Sequence, residues 1–182
     1  MGDRLSKLIQ RFTTYISVPW RATLSAEERA VFVVYHKEDE LKLRARVCEF
    51  EIAATQHGHR WQLMDITDSF AKWMGEQDYK EAYFEDPELL LANYEFFAEE
   101  LGQYLRSQID PTLGSNDIVA ILGTGTLFGF ASVSDLIKTL SPAVKGKLLV
   151  FFPGEYHDNN FSLLDAKDGW GYHATAICHH NE

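Results

Sequence analysis

Cysteine is scarce in this 182-residue chain: Cys48 and Cys178 are the only two, and they belong to no paired motif. That excludes a disulfide framework and a cysteine-rich zinc site, and points to a reducing cytoplasm. No apolar run approaches the ~20 residues of a membrane helix, and residues 1–11 lack the layout of a signal peptide. Positive charge is also short, with 17 Lys and Arg against 27 Asp and Glu and a net charge of −10. The one basic cluster, residues 37–46, is interrupted by Glu38, Asp39 and Glu40. Nucleic-acid affinity follows clustered Lys and Arg, so direct DNA binding is not expected. A Gly-Lys-Ser/Thr phosphate loop and a Gly-x-Ser-x-Gly nucleophile elbow are both missing.

What remains is ordinary globular material. Hydrophobic residues at 46% and charged ones at 24% rule against disorder, and the length suits one domain spanning 1–182, with a flexible tail from about 178. Leu5, Leu8, Ile9, Phe12, Tyr15 and Ile16 recur at helical spacing until Val18-Pro19 ends the pattern. Ala30–Tyr35 (AVFVVY), Ile118–Leu122 (IVAIL) and residues 148–152 (LLVFF) are continuous apolar runs, as strands covered on both faces must be. Residues 61–66 alternate more weakly, like an edge strand, and residues 172–177 read as closing an edge.

Helical patterns fall between these strands. One covers residues 38–56, with apolar stripes Leu41/Ala45/Cys48/Ile52 and Leu43/Val47/Phe50/Ala54, and stops at Gly58. So wide an apolar face predicts packing on a sheet, and it places Cys48 in the core. A short helix runs to Met74 after Thr67-Asp68, and another from Asp86-Pro87 to about Gln108. A third starts at Ser132 and carries Val133, Leu136, Ile137 and Leu140. Residues 153–171 read as loop.

Strands alternating with helices predict a single-domain α/β fold with a mostly parallel, doubly wound (Rossmann-like) sheet of four to five strands. The expected strand order is 2-1-3-4, which puts a switch point between the first and third strands. His36, Lys37, Gly123, Thr124 and Gly125 would line that crevice, with Pro153-Gly154-Glu155 one strand away. Gly123–Gly129 (GTGTLFG) follows a strand and precedes a helix, as a phosphate cradle does. Phe128 stands where the dinucleotide pattern needs glycine, so a tight turn is the competing reading.

Seven histidines invite a metal hypothesis, but His57/His59 and His173/Cys178/His179/His180 lack zinc-ligand spacing, and no metal or cofactor is expected. Glu155, Asp158, Asp165 and Asp168 would suit Mg²⁺-dependent nuclease chemistry if they converged, and Asp165-Ala166-Lys167 resembles part of a nuclease triad. Asp and Asn are equally what turns are made of.

Residues 148–170 (LLVFFPGEYHDNNFSLLDAKDGW) are the most distinctive stretch. Together with FVVYHKEDELKLRAR (32–46), YKEAYFEDPELL (79–90) and LFGFASVSDLI (127–137), they resemble the BrxB family in order and spacing, from about residue 5 to 178. The resemblance implies a component of BREX phage defence that associates with the alkaline-phosphatase-like protein PglZ, and it supplies no catalytic residues. A non-enzymatic partner-binding subunit is therefore expected. Glu155, Tyr156, Phe161 and Trp170 are the candidate contacts, because rings with a polar rim compose binding patches. The alternatives are that these rings cover the sheet edge, with the interface on the helical excursion 68–108, or that the protein binds nucleotide or phosphate at Gly123–Gly125.

Overall fold

A computed structural model describes residues 3–164, 166–167 and 174–180. The three continuous apolar runs lie side by side at its centre. The strands are β1 (Ala30–Tyr35), β2 (Trp61–Asp65), β3 (Ile118–Leu122), β4 (Lys147–His157), β5 (Asn160–Leu163), β6 (Ala166–Lys167) and β7 (Thr175–Ile177). The main sheet has the order β2-β3-β4-β1-β7 with every neighbour parallel. The α/β, doubly wound class is as the sequence predicts. The order 2-1-3-4 is not: β1 pairs with β4 and β7, and β2 stands at the far edge beside β3. Burial explains the difference. β1, β3 and the first eight residues of β4 are buried throughout, so all three need neighbours on both sides, whereas β2 is only half covered. An order that leaves LLVFF at an edge would expose the most apolar run in the chain.

Residues alternate between two helical layers. Val31, Val33, Tyr35, Ala120, Leu149 and Phe151 face α1 (Arg4–Ser17) and α2 (Glu40–Gln56). Here Phe50 packs 5.2 Å from Phe12 and 5.0 Å from Phe151, centroid to centroid. Phe32, Val34, Val119, Ile121, Val150 and Phe152 face α3 (Ser69–Glu76), α5 (Tyr94–Gln108) and α6 (Val133–Leu140). The chain leaves β1 over the first layer to reach the far edge, then steps back through β3 and β4 over the second. That change of layer is what makes the sheet doubly wound.

The helix expected from Asp86 is divided. Asp86 accepts a hydrogen bond from the Glu88 N–H, as a cap should, but Pro87–Asn93 form a 3-10 turn before α5 begins. A short α4 (Lys80–Glu85) precedes it. The expected loop at 153–171 is also corrected where it is described: β4 continues to His157 and returns antiparallel as β5. Asp158 and Asn159 join them at φ 48° and 62°, the two left-handed positions of a tight type I′ hairpin. Without glycine in the turn, the hairpin escapes the usual sequence signal.

Candidate functional site

In a parallel sheet all strands end at one edge, and ligands bind there. Here that edge carries two polar clusters. One links α2 to the end of β2. The Tyr35 hydroxyl donates to Glu40, Arg44 Nε donates to Glu40 at 2.7 Å, and Arg44 Nη2 donates to Thr67 Oγ1 at 2.6 Å. Burial opposes the charge on Asp65, but bonds from the Thr67 hydroxyl and N–H, and the Arg44 guanidinium, hold its carboxyl below the ordinary carboxylate range. Burial, then the bond to Glu40, pushes the Tyr35 phenol well above its usual value. Every charge in this network has a partner, so it locks α2 to the sheet.

The second cluster lies at the ends of β1, β4 and β7. His36 Nδ1 accepts from the Glu38 N–H at 3.3 Å. Buried Asp39 is held by Arg4 Nε at 2.8 Å and Lys42 at 3.4 Å. The His179 and His180 rings lie 4.7 Å apart, with the His157 ring 6.0 Å from His180. Burial, followed by the charges of His180 and Arg4, pushes the His179 imidazole down. Arg11 donates to the carbonyls of Cys178 and His180 at 2.8 and 2.7 Å, tying this end to α1.

The sequence-predicted crevice residues all reach this edge, but β4 separates His36-Lys37 from Gly123-Thr124-Gly125. The glycine loop is packed. Gly123 has φ 94°, and a Cβ there would meet Thr67 Oγ1 at 2.5 Å. Buried Thr124 donates to the Phe151 carbonyl at 2.9 Å, and Gly125 abuts Pro153. The N–H groups of Thr126 and Phe128 are spent on Gly123 and Gly125, and α6 starts only at Val133. These are the features of a tight turn.

Among the described residues no group of three His, Cys, Asp or Glu side chains is placed to hold a metal ion. His59 is buried, its two ring nitrogens 2.6 and 3.0 Å from the carbonyl oxygens of Asn116 and Ile16, with Trp20 stacked 4.1 Å away. It joins the end of α1 to the turn before β3. Glu155 and Asp158 are exposed on the hairpin, while Asp165, Asp168 and His173 lie outside the described residues.

The predicted partner patch divides. Glu155 is exposed, and Tyr156 is half-buried, its ring 4.6 Å from Phe161. Phe161 corrects the expectation: it is 1% exposed and packs 4.6 Å from Phe32 as a core ring. The hairpin folds its rings back to cover the sheet. Trp170 lies outside the described residues.

Exposed apolar side chains concentrate elsewhere. Tyr79, Phe84, Leu89, Leu91, Phe96 and Tyr104 all stand out from the excursion between β2 and β3. Residues 68–108 hold ten acidic side chains against three basic ones, a net of −7 of the chain's −10. A groove of about 360 Å³ runs between α5 and α6, with Leu101, Leu127 and Leu136 below and Glu95, Glu99 and Asp135 at its sides. No described helix is long and apolar enough to cross a membrane.

The family model described as BREX protein BrxB matches residues 59–177, a shorter span than the resemblance read from the sequence. Comparisons with curated proteins and with solved structures give no match.

Proposed function

The chain belongs to the BrxB family, whose membership implies a component of a BREX phage-defence system, and from that premise we propose that it is a non-enzymatic subunit that binds another protein of the system, PglZ. The observation that carries this reading is the acidic, ring-bearing excursion. Isolated exposed apolar residues are normal on any protein. Six on one excursion, amid a local charge of −7, supply the two ingredients of a protein interface, exposed apolar anchors and a charged surround. Carboxylates beside the groove between α5 and α6 suit a basic amphipathic segment of the partner. The packing of Gly123–Gly125 gives no comparable support to a nucleotide site.

The test is quantitative co-purification with PglZ. Phe84→Ser and Phe96→Ser are each expected to weaken association by about 1–3 kcal/mol, the scale of interface anchors. Both side chains are exposed, so the variants should melt as the parent does. Tyr156→Ala is the comparison arm: loss of binding there, with both serine variants unaffected, moves the interface to the hairpin.

A further inference from the structure

Of the two apolar stripes on α2, only one reaches the core. Leu43, Phe50 and Ala54 are buried, but the opposite row is exposed along its length: Leu41 (81%), Ala45, Cys48 and Ile52 (53%). Residues spaced four, three and four apart form a single ridge on a helix. α2 lies outside the span matched by the family model, and this surface is remote in sequence from the excursion, so neither supports it nor depends on it.

The charges beside the ridge identify its occupant. Lys42 and Glu49 flank it on one side, two turns apart, and Arg44 and Glu51 flank it on the other at the same spacing. The basic member is N-terminal in both pairs, and α2 has three acidic and three basic residues in all. The ridge itself is a palindrome about the Arg46–Val47 peptide: Leu41 mirrors Ile52, and Ala45 mirrors Cys48. A two-fold axis at that point, perpendicular to the helix, lays a second α2 antiparallel on the first. It brings each flank against the same flank of the copy, read in reverse. Lys42 then faces Glu49 of the second copy, Arg44 lies opposite Glu51 while keeping its bonds to Glu40 and Thr67, Glu49 keeps its bond to Arg46, and the apolar ridges meet between them. A two-fold contact requires self-complementarity of this kind, and a surface meeting a different partner does not. We propose that α2 is a homodimerisation surface, its ridge covered by α2 of a second copy of this chain.

One helix pair is a small interface, so the dimer should be weak and concentration-dependent. Sedimentation of the full chain over a concentration series is expected to show a monomer–dimer equilibrium. Lys42→Glu or Glu49→Lys alone places like charges across the axis twice and should raise the dissociation constant roughly tenfold or more. The double swap Lys42→Glu/Glu49→Lys should restore it, which an unfolding effect would not do. Mild oxidation of a Cys178→Ser background should trap a covalent dimer through Cys48. A chain that stays monomeric throughout, a dimer indifferent to both single reversals, or a swap that fails to restore association would each overturn the proposal.

Discussion

The two helical layers bury the same sheet but turn unlike faces to solvent. The α1/α2 layer is regular: long helices, charges of both signs, and one straight apolar ridge on α2. The α3–α6 layer is broken into shorter helices and a 3-10 turn, and its excursion is strongly acidic and carries exposed rings. Where a surface made to meet its own copy pairs charges, it must carry both signs in a symmetric pattern. A surface made to meet another molecule is free to carry one sign, because the partner supplies the other. Inside, where no partner is involved, the layers are alike, with tightly packed rings against β1 and β4 on both sides.

That likeness can be broken at two adjacent residues of β4. Phe151 points into the α1/α2 layer against Phe50 and Trp61, and Phe152 into the other against Phe32 and Phe161. Both are fully buried. Phe151→Ala and Phe152→Ala should each cost about 3–5 kcal/mol, since truncation leaves a cavity in a packed core. Urea denaturation measures it. A much smaller loss at Phe152 would mean that the broken layer collapses around the gap while the regular one cannot.

A smaller effect is expected where the strands end. Gly123→Ala forces a side chain into the left-handed region and against Thr67, at a cost of about 1–3 kcal/mol. The bonds from Arg44 to Thr67 and Asp65 tie that turn to α2, so the loss should be accompanied by faster amide exchange in α2 and not in α5. Uniform loosening of both layers would show that the turn serves the sheet as a whole.

How much of this was legible beforehand follows the same division. The fold class could be read because continuous apolar runs and helical stripes report burial directly. Strand order could not, since it depends on which runs receive two neighbours, and the apolar content of residues 148–152 is the sequence signal that bears on it. The stripe Leu41/Ala45/Cys48/Ile52 was visible, yet periodicity marks a face without saying whether a sheet or solvent lies against it. Cys48 accordingly is exposed, not core. The glycine loop and the hairpin are opaque in sequence for a related reason. Gly123 and the pair Asp158-Asn159 serve backbone conformation, and the chemistry around them depends on neighbours that only the fold assigns. The excursion's helices were partly found, but its significance lies in which rings stay outside, as Phe96 does (56% exposed) while Phe97 does not (1%).

The gentlest way to separate the layers is acid. Asp39 is buried beside α1 and α2, where burial opposes its charge, but bonds from Arg4 and Lys42 outweigh that and hold its carboxyl below the ordinary value of 3.8. A depressed carboxyl contributes stability that is present above its unfolded value and lost as pH falls through its folded one. The folded state therefore binds fewer protons than the unfolded chain in the window below about pH 5, and unfolding free energy should fall as pH drops there. Arg4 joins α1 to this carboxylate, and its side chain is 43% exposed, so solvent screens the pair and the loss should be modest. Asp39→Asn is expected to flatten that part of the pH dependence and to remove extra amide exchange in α1 at acid pH, leaving α5 and α6 as they were. If acid instead loosens the α3–α6 layer first, and Asp39→Asn leaves the slope unchanged, the regular layer owes its cohesion to packing alone and the Arg4–Asp39 pair serves only to orient the start of α2.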